Sequence, residues 1–265
     1  MMGSSHLQQG SGFLPDLPVV LFFGLLFILY IWAAITTSKQ SRLRSWPIHR
    51  YICWCAGVLC AGAAIVGPLA NRAHYDFTAH MTAHLLLGML APLLLVLSAP
   101  LTLLLRTVPV RTAKFVAKLL KSWPVSLVSH PVSASILNIG GLWLLYMTSL
   151  YEAMHHNLLV GLAVHLHMFL AGYLFTASMI YIDPTPHRYS FVYRAIVLIL
   201  TLAGHSILSK YIYVQPPPGV SEAHGELGAM IMYYGGDLID LFLIIVLCYQ
   251  WYRAARPRVT IGVCQ

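Results

Sequence analysis

The sequence predicts an all-α fold: a polytopic bundle of seven transmembrane helices, with the amino terminus outside and the carboxyl terminus in the cytoplasm. Three observations lead there. The 265-residue chain is 58% hydrophobic and only 9% charged, with a mean hydropathy of +0.74, whereas a soluble domain carries about 25% charged residues. Seven apolar segments recur, at approximately 17–37, 51–70, 80–105, 130–150, 157–181, 191–214 and 227–250. The basic residues alternate between the connections that join them.

Most segments are near the 20 residues that cross about 30 Å of hydrocarbon at 1.5 Å per residue. Residues 1–14 read as a disordered leader, 15–252 as the transmembrane domain and 253–265 as a basic cytoplasmic tail. The first segment has neither a basic flank before it nor a small-residue cleavage site after it, so it reads as a retained helix. The second holds Cys53, Cys55 and Cys60; with Cys248 and Cys264 far away, these do not form a disulfide framework. Pro92 and Pro100 predict a kink in the third segment, or a bend along the membrane near its inner end. The connection after it, with Trp123, reads as a solvated topogenic loop or as a short amphipathic helix on the inner leaflet. Pro216-Pro217-Pro218-Gly219 makes a stiff turn before the last segment.

Charge fixes the predicted orientation. Lys39, Arg42, Arg44 and Arg50 fall on one side, as do Arg106, Arg111, Lys114, Lys118, Lys121, Arg188, Arg194, Arg253, Arg256 and Arg258. Only Arg72 and Lys210 fall toward the other. The positive-inside rule makes the basic side cytoplasmic. The net charge of +8 is therefore a topology signal and not one for nucleic acid.

Most of the histidines sort to the opposite side; only His49, His130 and His187 belong to the basic side, and His6 is in the leader. His74, His80, His84, His155, His156 and His224 lie in or near outer connections and helix ends; His165, His167 and His205 lie in outer helix halves. His80 and His84, four residues apart, share one helical face. At 1.5 Å per residue, His165, His205 and Asp237 each lie about 12–15 Å into their helices. Several helices thus present ligands to one outward-opening cavity. His165 and His167 are about 200° apart and face different ways. Asp237 and Asp240 share a face, and a carboxylate in a membrane helix normally faces the bundle interior or a wet path.

Imidazole suits copper, zinc, iron and nickel, and thioether favours Cu(I). Met81, Met89, Met154, Met168, Met230 and Met232 accompany the outer histidines, although membrane helices also use methionine for packing. The mixed environment tilts the expectation toward copper. No His-Glu-x-x-His segment occurs, which weighs against hydrolytic zinc chemistry. The Cys53-x-Cys55 spacing places its thiols on different faces. No lysine sits at mid-depth in the last segment for a retinal Schiff base.

On these residues the sequence resembles the caa3-type cytochrome c oxidase assembly factor family, the polytopic CtaG proteins of Gram-positive bacteria. The resemblance covers about 15–255. It rests on His80-Met81-Thr82-Ala83-His84, on the stretch with His165 and His167, and on Gly225-Glu226-Leu227-Gly228-Ala229-Met230-Ile231-Met232-Tyr233. The family is usually more glycine-rich there and often has tryptophan near the Tyr233 position. The single-helix copper chaperones of the same name are a different family. The resemblance implies a bacterial plasma-membrane protein that matures heme–copper oxidase through copper delivery to the CuB site, with no catalytic turnover. Its partners would be the oxidase catalytic subunit and an extracytoplasmic copper chaperone, with homo-oligomers allowed. The expected metal ligands are His80, His84, His165, His205, His155 and His156, with Met81 and Met230 as weaker thioether candidates. Asp237 and Asp240 are the supporting carboxylates. A bis-histidine heme cytochrome, a metal permease and a metal-free structural partner remain as alternatives.

Overall fold

The computed structural model describes residues 13–39, 44–185 and 187–256. The leader up to residue 12, Arg42, Arg258 and Cys264 lie outside the described residues. Among those described, six helices are long and apolar enough to cross a membrane. They are α1 (Phe13–Ser38), α2 (Ile48–Ile65), α3 (Phe77–Leu97), and, after an intervening helix, Leu158–Met179, Phe191–Val214 and Glu222–Ala255. The intervening helix, α4 (Pro131–Met147), passes the same test only together with Leu150–His156, against which it is bent by 79°. Counting that pair makes up to seven spans. The last three are α5, α6 and α7. The protein is an all-α, multi-pass membrane protein.

Helix α3 is the centre of the bundle. Of its apolar window 67% is buried, against 11% for α1. Helices α2, α5 and α7 pack directly on it, and α6 pairs with α7. It starts sharply because the Asp76 carboxylate accepts from the Thr78 and Ala79 amides, an N-cap that satisfies otherwise orphaned donors. Below its first turns it passes through a π-helical turn at Leu86–Leu90, just ahead of Pro92, which has no N–H to donate back along the helix.

The predicted third span is shorter than expected. The apolar run 80–105 is divided at Ala99, which adopts a left-handed conformation (φ 55°) before Pro100 opens the separate helix Pro100–Thr107. Proline suits a first helical turn, where its missing donor costs nothing. The fourth run also breaks early, at the extended Thr148. The last is longer than expected: α7 has 34 residues, about 51 Å at 1.5 Å per residue, so it continues well past the apolar core and into the predicted basic tail.

The connections gather at two ends. At the basic end, Asp183 accepts from the Leu101 and Thr102 amides and from the Thr102 hydroxyl, which caps Pro100–Thr107. Tyr30 donates to the Ser98 carbonyl (2.7 Å) and accepts from the Trp46 indole (3.0 Å). Two predicted topogenic cations are packed rather than solvated. Arg50 lies 4.5 Å over the Trp46 ring. Arg194, 1% exposed, donates to the Met179 carbonyl and stacks 4.2 Å over Tyr181. The opposite end is rich in histidine.

Candidate functional site

The histidine-rich end opens into a vestibule of about 530 Å³. His74, Tyr151, Glu152, His155, His156 and His224 line it, with the Pro218–Ser221 turn. The 79° bend after α4 folds Leu150–His156 over the mouth. The start of α3 is pinned beside it by Asp76, whose carboxyl is held below its ordinary value by the Thr78 hydroxyl, the Thr78 and Ala79 amides and the Arg72 guanidinium. Arg72 reaches Asp76 across 3.1 Å.

Just inside lies a first tier. His80 is 3% exposed, and its Nε2 stands 3.1 Å from the Tyr146 hydroxyl. The Tyr146 hydroxyl also reaches the Met81 sulfur at 3.7 Å. The His80 ring is 5.2 Å from Tyr151 and 6.0 Å from His155, and His155 is 6.2 Å from His74. His155 Nδ1 donates to the Tyr151 carbonyl at 2.7 Å. A carbonyl only accepts, so the proton of that bond sits on Nδ1, and of the two neutral tautomers the bond selects the one whose Nε2 can ligate a metal. His165 is fixed in the same way by the Gly161 carbonyl at 2.7 Å.

One turn deeper is a second tier. The rings of His84 and His205 are 6.4 Å apart and 21° from parallel. His84 Nδ1 stands 3.1 Å from the Met168 sulfur. Both Nε2 atoms are buried with no hydrogen-bond partner among the described residues. Buried polar atoms are nearly always satisfied, so two orphans on residues that line one small space require an explanation. That space is a cavity of about 30 Å³ lined by His84, Met89, Asn138, Thr176, Thr201, His205 and Asp240.

Glycines set the close approaches. A Cβ on Gly172 of α5 would overlap the Gly88 carbonyl of α3, and one on Gly88 would stand 3.1 Å from Met168 Cγ. Their absence lets α5 lie against α3 and brings Met168 onto His84. A Cβ on Gly236 of α7 would stand 2.5 Å from His205 Cε1. That glycine makes the room in which His205 sits.

The predicted ligands divide accordingly. His80, His155 and Met81 meet in the first tier, His84 and His205 in the second, and His156 lies exposed on the vestibule wall. His165 is half-buried on α5. His167 is exposed and bonded to the Leu137 carbonyl at 3.1 Å. Met230 is 37% exposed and joins neither tier. The predicted carboxylate pair is split: Asp240 is 6% exposed and lines the cavity, whereas Asp237 is exposed on the outside of α7. Three residues turn a helix through about 300°, which leaves the two about 60° apart; the bundle surface passes between them. Sequence reasoning missed Tyr146, Tyr151 and Glu152. Tyr151 and His155 stand at helical i, i+4 spacing, which was a usable signal; nothing in the sequence marks Tyr146. Among the described residues no group of three or more His, Cys, Asp or Glu is arranged to hold a metal ion.

Comparison with known proteins covers most of the chain. It is 30% identical over 166 residues to uncharacterized proteins of Mycobacterium bovis and Mycobacterium tuberculosis, covering 59% of this chain and 25% of each relative. An uncharacterized protein of Mycobacterium leprae is 28% identical over 159 residues, covering 57% of this chain and 24% of its own. The matched region thus spans about a quarter of the length of these curated relatives. No solved structure matches. The model of the cytochrome c oxidase caa3 assembly factor (Caa3_CtaG) matches residues 28–254, from the middle of α1 to the end of α7, and the chain belongs to that family.

Proposed function

We propose that this assembly factor takes up copper, as Cu(I), at its histidine-rich end and releases it toward the CuB site of a heme–copper oxidase catalytic subunit. The protein is a multi-pass component of the bacterial plasma membrane. On this reading the chain crosses seven times, with α4 and Leu150–His156 as one broken span, its amino terminus outside and its carboxyl terminus in the cytoplasm. The side-by-side gathering of the basic connections supports that orientation. The vestibule receives the ion from an extracytoplasmic copper chaperone. His80 and His155 form the outer station, and His84 and His205 the inner one. Met81 stands beside the outer station with thioether character suited to Cu(I), and Met168, against His84 Nδ1, orients that ring. His165 and His156 stand beside the path, and Asp240 offsets the charge of the buried ion.

The observation that carries this reading is the pair of orphaned Nε2 atoms on His84 and His205. Metal–imidazole bonds are about 2.0 Å, and the ring centre lies about 1.1 Å behind the nitrogen, so two histidines sharing one ion in line have centres about 6 Å apart. The observed separation is 6.4 Å. A cavity of about 30 Å³ suits an ion and not a macrocycle, which weighs against the bis-histidine heme reading. Toward the basic end the bundle is filled by Leu93, Phe175, Met179, Leu243 and Leu247, which weighs against a permeation path. Anaerobic loading of purified protein, followed by metal analysis, tests the reading. Parent protein is expected to retain Cu(I), and His84→Ala/His205→Ala to lose it while staying folded. Equal copper in both would sink it.

A further inference from the structure

A second surface lies at the opposite end of the bundle, on the connection between α3 and α4. The helix Val110–Leu120 has no buried residue. At 100° per residue, Arg111, Lys114, Lys118 and Lys121 fall within an arc of about 80°, while Phe115, Val116, Leu119 and Leu120 occupy an arc of about 140° on the other side. Phe115 is 65% exposed and Leu119 53%; Trp123, which opens the next short helix, is 76% exposed. Among the described residues nothing buries Phe115 or Leu119, while Val116 and Leu120 toward one edge of the apolar side are half-buried.

The position of the helix says what covers that side. It follows Pro100–Thr107, whose last residue stands 3.3 Å from Thr37 in the final turn of α1, and it leads through Trp123–Val128 into the first turn of α4 at Pro131. Both flanks are therefore fixed to ends of membrane helices, at the level where hydrocarbon gives way to headgroups. A helix held there with one apolar and one tetracationic face meets the requirements of an interfacial helix. Basic residues at that level attract anionic lipid, and the attraction fades within a Debye length. A tryptophan at the edge, with its amphipathic ring, suits the same layer.

We propose that Val110–Leu120 and Trp123 form a binding surface for anionic phospholipid. Phe115, Leu119 and Trp123 enter the acyl-chain boundary, and Arg111, Lys114, Lys118 and Lys121 hold the phosphodiester headgroups. The surface is separate from the histidine tiers and does not depend on what they bind.

The full chain, reconstituted as one copy per nanodisc in equal phosphatidylcholine and phosphatidylglycerol, tests this. One of the two lipids carries bromine on its acyl chains. Tryptophan quenching compared between parent and Trp123→Phe isolates the Trp123 signal. That signal is expected to be quenched several-fold more by brominated phosphatidylglycerol than by brominated phosphatidylcholine. Lys114→Gln and Lys118→Gln should each lower the preference by up to about fivefold. Salt at about 1 M, where the Debye length is about 3 Å, should lower it in the unmodified protein, with no substitution to disturb folding. Quenching by neither lipid would place the helix in water or under another protein and overturn the proposal. Equal quenching by both lipids, unchanged by charge or salt, would overturn it as well.

Discussion

Substitution of Gly236 by alanine separates the fit of the inner tier from the stability of the bundle. The added Cβ would stand 2.5 Å from Cε1 and 3.2 Å from Nδ1 of His205. The imidazole must retreat by about 1 Å to reach ordinary van der Waals contact, and overpacking of this kind costs about 1–3 kcal/mol. A metal–nitrogen bond tolerates about 0.2 Å, so on the proposed reading a ring moved that far would no longer share an ion with His84. Disturbing the support of a ligand typically costs 10–100-fold in metal affinity, and Gly236→Ala is expected to lose at least tenfold. The neighbouring Gly235→Ala is the control. Its Cβ would press on the terminal methyl of Leu85, a flexible apolar group outside both tiers. Cu(I) affinity by anaerobic competition with a chromophoric chelator, and thermal unfolding of the same samples, give the two readouts. Both variants should lose some stability, and only Gly236→Ala should lose copper. Equal affinity in the parent and Gly236→Ala, or an equal loss in both variants, would refute the reasoning.

Three further outcomes follow from the same contacts. Gly172→Ala sets a methyl against the Gly88 carbonyl, where backbone meets backbone and no side chain can turn aside; it should cost more than the usual 1–3 kcal/mol of overpacking, read as a fall in the yield of monodisperse protein and in Tm. Asp76→Ala removes the cap of α3 and should cost about 0.5–2 kcal/mol. Because the Asp76 carboxyl is held below its ordinary value, its contribution is present above the unfolded-state pKa and is lost as pH falls through the lower folded value; acid titration of Tm should show a step in the parent that the variant lacks. Asp240→Asn should weaken Cu(I) retention by the inner tier, while Asp237→Asn, on the outside of α7, should leave it unchanged in the same chelator competition.

The elements were legible because their causes are local. Segments of near-membrane length and the prolines Pro92 and Pro100 act through their immediate neighbours, and α6 spans Phe191–Val214 as expected. The break at Thr148 was hidden because Thr148 and Ser149 are small polar residues that a membrane helix also tolerates and no proline or glycine marks the spot, and the fold of Leu150–His156 over the vestibule is a tertiary choice. The depth matching of His84 and His205 was within reach, since rise per residue is fixed. Which side of α7 faces inward was not. Asp237 and Asp240 differ by about 60°, and burial separates them only because Gly228, Gly235 and Gly236 turn toward α3 and α6. Tyr146 was invisible for the same reason: its partner His80 lies 66 positions away in sequence.

Delivery asks for a different arrangement from storage. A closed tetrahedral site of four ligands holds its metal against release, whereas the histidines here stand in pairs, two imidazoles to a tier, about one helical turn apart along α3. Two-coordinate binding suits Cu(I) and leaves coordination positions through which an incoming ligand can take the ion. The burial of His80, His84 and His205, each 3% exposed, keeps water from competing for those positions. On the proposed reading, the charge of the ion is compensated by Asp240 only at the inner tier. The step from His80 to His84 is then downhill in electrostatics without either tier needing a third strong ligand. A third histidine engineered into the inner tier should therefore raise Cu(I) affinity in the chelator competition and slow transfer to an acceptor. A variant that binds more tightly and still releases as fast as the parent would show that ligand number does not set the rate of delivery.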